Sequence, residues 1–142
     1  MVEREGPFWD AIEGRVDLPP ATRTLGFERL IAVDPDAGTI EVGFLAGDSF
    51  LNPVGVVQGG FLAAMLDETL GPALIATLGP DQFAPTADLH VQFLRPAKPG
   101  RLRGRGRVVK RGRDLAFMSG DLVDESGEVV AVATATATIR TR

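Results

Sequence analysis

At 142 residues the chain has the length of one domain, enough to bury roughly two-thirds of the surface an unfolded chain exposes without a covalent staple. It has no cysteine and one histidine, His90, which excludes a disulfide framework, a thiolate nucleophile and a Cys- or His-rich metal site, and fits a reducing cytoplasm. A formal charge of -4 argues against a nucleic-acid partner, and no apolar run has the length of a signal peptide or a membrane span, so a cytoplasmic protein acting on small molecules is expected.

Residues Pro7 to Gly14 read as a short helix, with Pro7 in the first turn and Phe8, Trp9 and Ile12 on one side. Asp17 to Thr24, with adjacent Pro19 and Pro20, reads as an extended surface connection, so residues 1–23 form a short helix and link attached to one domain over 1–142. Gly26 to Val33 and Thr39 to Ala46 alternate as strands around a DPDAG turn, with Ile40, Val42 and Phe44 sharing a face. Thr86 to Leu94 also alternates, placing Ala87, Leu89, Val91 and Phe93 on one face and Thr86, Asp88, His90 and Gln92 on the other. Three long strands follow, about Arg101 to Arg111, Leu115 to Asp124 and Glu128 to Arg140, separated by KRGRD and DESGE turns. The sum is α+β: about six antiparallel strands curved around one long helix.

That helix lies in the stretch Asn52 to Leu78, NPVGVVQGGFLAAMLDETLGPALIATL. Phe61, Leu62, Ala63, Ala64, Met65, Leu66 and Leu70 cover nearly every direction around its axis, so it is buried on most sides. Its interior carries only Asp67 and Glu68 as charges, and Pro72 predicts a kink or an end nearby. Gly104, Gly106 and the alternating Ala131, Ala133, Ala135 and Ala137 would let a sheet approach the helix closely.

A loop, a double glycine at a helix start, one acid inside the helix and a Thr-containing strand after it resemble the hotdog fold, and specifically the PaaI-like acyl-CoA thioesterases. The matching residues are Asn52, Gly55, Gln58-Gly59-Gly60 and Asp67, then Thr86-x-Asp88-Leu89, FLRPAKPG and GEVVAVATATATI. The clear departure is Gln58, which stands where the family has a His. The resemblance implies hydrolysis of an aryl or short-to-medium acyl-CoA, with no cofactor, no metal, and a homodimer or dimer of dimers as the assembly. It assigns the carbonyl-binding role to Gly59, a carbonyl-side or positioning role to Asn52, and a water-orienting hydroxyl to Thr86. Asp67 is then general base or nucleophile, with Gln58, Gly60 and Phe61 beside the substrate.

Physical chemistry bears on these roles separately. The first amides of a helix have no intrahelical acceptor and the dipole favours negative charge there, which suits Gly59 N–H to an oxyanion. Asp67 lies about 12 Å further along the same helix at 1.5 Å per residue, so one helix cannot supply both groups to one carbonyl, whereas two antiparallel helices on a two-fold axis can. Glu68 points about 100° away from Asp67, so at most one of the two acids is expected in a given site. Phe50, Leu51, Phe61 and Met65 are candidate acyl-pocket residues.

Three readings stay open beside this one. Asn52 before Pro53 is equally a turn-forming side chain. Arg101, Arg103, Arg105 and Arg107 alternate along one strand as either a solvated face or a dock for CoA phosphates. Because glutamine cannot protonate or carry charge, an acyl-CoA-binding protein without turnover is the alternative function.

Overall fold

The computed structural model describes residues 2–142. In chain order its elements are α1 (Pro7–Ile12), α2 (Pro20–Thr24), β1 (Phe27–Asp34), β2 (Thr39–Ala46), α3 (Gly59–Ile75), β3 (Gln82–Phe83), β4 (Thr86–Phe93), β5 (Gly100–Arg111), β6 (Leu115–Val123), β7 (Val129–Thr138) and β8 (Arg140–Thr141). Six of the strands form one antiparallel sheet in the order β1-β2-β5-β6-β7-β4, and β3 pairs with β8 in a separate two-stranded ribbon. The sheet carries α3 on one face, which is the hotdog arrangement implied by the resemblance.

Small residues explain how closely α3 sits. A Cβ added to Gly104 would lie 2.1 Å from Thr69 Oγ1, one on Gly120 would lie 2.7 Å from Leu70 Cδ2, and one on Gly106 would crowd both residues. Thr69, fully buried, gives its hydroxyl to Met65 O at 2.8 Å, so no polar atom is left unpaired at this contact. Ile40, Val42 and Phe44 of β2 and Ala131, Ala133, Ala135 and Ala137 of β7 are buried on the same side, as their alternation predicts.

The helix continues through Pro72 and ends one turn later at Ile75. Proline there has no N–H to offer the carbonyl of Glu68, so the ladder is broken on that side of the helix. The N-terminal region differs from expectation. Pro20 does not extend the chain but opens α2, because Pro19 is extended (ψ 145°) and the fixed φ of Pro20 suits a first helical position, where no N–H is needed. Trp9 anchors α1, at 1% exposure, with Phe8 edge-on to it and the Arg4 guanidinium over its ring.

One further departure bears on the site. The register of β4 against β7 runs Thr86 with Ala137 and then Asp88 with Thr136, two steps against one, which marks a bulge. The simple alternation therefore holds from Asp88 to Phe93, while Thr86 shares a face with the buried Ala137 and turns toward α3.

Candidate active site

Two ends of α3 present chemistry. At the middle, the Asp67 side chain is exposed and the Thr86 hydroxyl donates to its Oδ1 at 3.0 Å, a contact that the bulge makes possible. The two residues lie on the wall of a cavity of about 370 Å³, which α3 shares with α1, α2, β1, β2 and the segment around β3. Its lining is mostly apolar, including Phe8, Ile12, Leu18, Val42 and Ile75. Glu68 lines the same cavity from another side, where the hydroxyl of buried Thr22 donates to its Oε1. Both acids thus face one hollow, contrary to the expectation that only one would, because the cavity spans more of the helix circumference than the 100° between neighbours.

At the start of α3, Gln58 is the capping residue, extended at φ -58° and ψ 135°, with no side-chain cap. Its backbone carbonyl accepts from Phe61 N at 3.0 Å, whereas the amides of Gly59 and Gly60 have no acceptor among the described residues. The Gln58 side chain is exposed and makes no hydrogen bond among the described residues. Asn52 organises the preceding loop: its Oδ1 accepts from Val54 N at 3.1 Å and Val56 N at 3.2 Å, the turn-forming geometry, and its amide NH₂ has no partner among the described residues. Phe61 stacks on Phe50 with centroids 4.2 Å apart.

Asp67 and Thr86 are thus together, and Asn52, Gln58, Gly59, Gly60 and Phe61 are together, but the two groups sit eight helical residues apart. Phe50, Leu51, Phe61 and Met65 do not line the cavity beside Asp67 within the protomer. The cavity wall includes Glu68, which the one-acid expectation set aside in favour of Asp67, and the N-terminal segment, which sequence reasoning missed and whose only signal was the apolar spacing of Phe8 and Ile12.

The arginine stripe lies elsewhere. Leu102, Gly104 and Gly106 of β5 turn to α3, so Arg101, Arg103, Arg105 and Arg107 project from the opposite sheet face. There Arg105 makes a two-pronged pair with Asp121 at 2.7 Å, Arg101 meets Glu28 at 3.1 Å and Arg103 lies 3.9 Å from Glu41. The hydrogen bond to Asp121 holds the Arg105 guanidinium more firmly protonated. Within the protomer this face is an ion-paired solvated surface, away from both ends of the site.

Among the described residues no cluster of metal-ligating side chains occurs, and no helix is long and apolar enough to cross a membrane.

Comparisons with known proteins agree on one family. The Thioesterase superfamily model matches residues 54–131. A phenylacetic acid degradation-related protein from Ralstonia eutropha JMP134 is 44% identical, with 92% of this chain and 98% of that one aligned at a TM-score of 0.88. A Bacillus halodurans protein solved with CoA is 28% identical over 70% of this chain and 66% of its own, at a TM-score of 0.68. The E. coli PaaI protein of the phenylacetic acid degradation operon, at 20% identity, shares the fold over 92% of this chain and 91% of its own with a TM-score of 0.80. No curated protein matches the chain.

Proposed function

The chain belongs to the thioesterase superfamily and is a thioester hydrolase, and from that premise we propose that it hydrolyses an aryl or short-to-medium acyl-CoA at a site shared by two protomers. The observation that carries the proposal is the Asp67 carboxylate, held by Thr86 at the wall of an apolar cavity, on a helix that begins with two unpaired amides. CoA as the thiol is supported by the Bacillus halodurans relative solved with it, and the aryl option by the Ralstonia relative's association with phenylacetic acid degradation.

The open edge at β4 supports a shared site. Both edges of the sheet are open, but β1 is interrupted by two register shifts, which blunt an edge, whereas β4 is regular from Asp88 to Phe93. The β4 edge also exposes Phe93 (53%) and Leu94 (55%), an apolar patch that a second copy would cover. Asp67 touches Thr86 at the start of β4, while Gly59 lies under the ring of Phe93 at its end, where an added Cβ would be 3.1 Å from Phe93 Cζ. Antiparallel pairing of two β4 strands sets the start of one against the end of the other. Asp67 then faces the partner's Gly59 across a two-fold axis.

In this site the thioester oxygen accepts from the partner's Gly59 and Gly60 amides, which stabilise the negative charge that grows there. Asp67 either takes a proton from water as the water attacks the carbonyl carbon, the C–S bond then breaking and that proton passing to the departing CoA sulfur, or attacks the carbon itself and expels CoA as the thiolate, leaving an anhydride that water hydrolyses to free the carboxylate. Thr86 fixes the orientation of the carboxylate. Asn52 shapes the loop leading into the helix start, with Gln58, Gly60 and Phe61 beside the substrate. We place this activity in the cytoplasm, on one domain over 1–142.

A thiol-release assay across aryl- and fatty-acyl-CoAs tests the reading, with Asp67→Ala as control. Turnover that survives Asp67→Ala would remove the central assignment. The second reading, acyl-CoA binding without turnover, is favoured by one observation, the unengaged Gln58 side chain in place of His. Saturable binding with no thiol release across the panel would establish it.

A further inference from the structure

We infer that Phe93 is a positioning residue for the oxyanion donor: its ring, set against Gly59, holds the Gln58–Gly59 peptide in its orientation and keeps water from that flank. The inference rests on the thioesterase reading above and adds a residue to it. Gly59 and Phe93 meet within one protomer, so the contact is independent of which protomer supplies the carboxylate.

A donor stabilises a transition state best when it is already aimed as the charge develops, since no reorganisation is then needed at the moment of reaction. Little else restrains Gly59. Gln58 makes no side-chain bond to the helix start, and the amides of Gly59 and Gly60 have no acceptor among the described residues. The backbone bonds nearby end at Gln58, whose N–H donates to Phe50 O at 2.8 Å and whose carbonyl accepts from Phe61 N at 3.0 Å. Two successive glycines follow, the residue type with the widest choice of φ and ψ.

Phe93 supplies the missing contact. It is the last residue of β4 and pairs with buried Ala131, which puts it on the helix-facing side of the sheet. Leu89 and Val91 on the same face pack against the core, and Phe93 extends their row to the start of α3. The three nearest neighbours of a Cβ built on Gly59 are all atoms of that ring, Cζ at 3.1 Å, Cε1 at 3.3 Å and Cε2 at 3.4 Å. The tip of the ring thus fills the place of a side chain. Gly60 differs, because a Cβ there would meet nothing within 4 Å. Gly59 is bare because Phe93 takes the space, whereas Gly60 leaves space open for a ligand. An apolar ring beside the amide also lowers the local dielectric, which strengthens a bond to a charged oxygen. Strand β4 therefore carries a support for each half of the chemistry, Thr86 at its start for Asp67 and Phe93 at its end for Gly59.

The test is a double-mutant cycle between Phe93 and the amide itself, read as thiol release. Phe93→Ala lowers kcat by about tenfold, a part of the roughly 10²–10³ that loss of the whole donor costs, and leaves KM within about threefold, because the ring acts through transition-state charge. Phe93→Leu, which lacks the three atoms that reach Gly59, falls as far, and Phe93→Met, whose flexible chain refills the space, recovers most of the loss. In Gly59→Pro no N–H is left to aim, and there Phe93→Ala changes kcat by less than about twofold. A ring that only stabilised the fold or the sheet edge, or only touched the acyl group, would lower activity equally in both backgrounds. If sedimentation shows that Phe93→Ala weakens the assembly, the Leu and Met variants, which keep the edge apolar, carry the comparison. An unchanged kcat in Phe93→Leu, or the same fall in the Gly59→Pro background as in the wild type, overturns the inference. Calorimetry separates it from the hydrolysis reading, with a CoA ketone in which a methylene replaces the sulfur and a CoA thioether that has no carbonyl. The wild type prefers the ketone by about threefold to tenfold, the range of a neutral hydrogen bond, and Phe93→Leu loses that preference. A Phe93-dependent preference without thiol release would defeat hydrolysis and leave Phe93 in its role, and Asp67-dependent turnover indifferent to Phe93 would do the reverse.

Discussion

The shared site can be tested by removing one half of it from each of two protomers. Gly59 is the first residue of α3, the position where proline is best tolerated, and Gln58 before it has φ -58° and ψ 135°, the conformation a residue preceding proline prefers. Gly59→Pro therefore deletes the N–H and little else. No backbone hydrogen bond is lost, because that amide has no acceptor among the described residues. The new Cβ approaches the Phe93 ring at about 3.1 Å, and that ring is 53% exposed and free to shift by a few tenths of an ångström. Restriction of the unfolded chain contributes about 0.4–1 kcal/mol in the stabilising direction, so the melting temperature stays near that of the wild type. The loss of one oxyanion donor lowers kcat by about 10²–10³. Asp67→Asn keeps an oxygen for the Thr86 hydroxyl but can neither take a proton nor attack, and it lowers kcat by about 10²–10⁴.

Each variant alone is inactive at both sites of a homodimer. In a heterodimer of the two, one site carries both lesions and the other carries neither. Heterodimers isolated through two affinity tags therefore regain about half the wild-type activity per dimer, and an equimolar mixture with random exchange regains about a quarter, against about one per cent for either parent. The assay is thiol release from an acyl-CoA that the wild type hydrolyses. Heterodimers that stay at the level of the parents refute the trans arrangement, since Gly59 and Asp67 would then serve the same protomer or different reactions.

Other perturbations follow from the same geometry. Gly104→Ala puts a methyl 2.1 Å from Thr69 Oγ1 and costs about 1–3 kcal/mol as overpacking. Adding Thr69→Ala recovers most of it, and thermal unfolding of the four proteins in a double-mutant cycle checks both steps. Gln58→His restores a group that can protonate at the start of α3, and it leaves kcat unchanged or raises it; a tenfold fall would mean that the glutamine amide itself holds the substrate. Asp124 accepts hydrogen bonds from the hydroxyl of Ser126 and from the amides of Ser126 and Glu128 in the β6–β7 turn, and these, with Arg95, hold its carboxyl below the usual aspartate range. A depressed folded-state value means the stabilisation is present above the unfolded-state range and is lost as pH falls through the folded value. The protection of the Ser126 and Glu128 amides, taken relative to the intrinsic exchange rate at each pH, should therefore fall on acidification into that region, and Asp124→Asn should flatten the dependence.

Much of the architecture was legible because it rests on periods. Alternation located all six strands of the sheet, and the all-round apolar surface of α3 announced that it is buried on most sides. The glycines at 104 and 106 gave away the close approach of helix and sheet, since no side chain fits against Thr69 there. What escaped was aperiodic. The bulge at Thr86 and Asp88 is one extra residue in a strand, and it reverses the face on which Thr86 lies without changing composition. Strict alternation put Thr86 with His90 and Gln92, away from the helix, so only the family resemblance pointed it at Asp67. The ribbon of β3 and β8 pairs two residues with two, too short for any pattern to show.

The N-terminal segment was illegible for a different reason. An apolar stripe on a six-residue helix says that the helix packs, and packing against a solid core leaves the same stripe as packing over a hollow. Only the position of α1 and α2 relative to α3 distinguishes the two, and it is fixed from a distance, by Trp9 under α1 and by Thr22 reaching across 46 residues to Glu68. The same contact decides between the acids of α3. Helical geometry separates Asp67 from Glu68 by about 100° and favours one of them for a narrow site. A hollow roofed by the N-terminal segment is wide enough to take both. What separates the two carboxylates is then their partners, Thr86 at the start of β4 for Asp67 and Thr22 of α2 for Glu68.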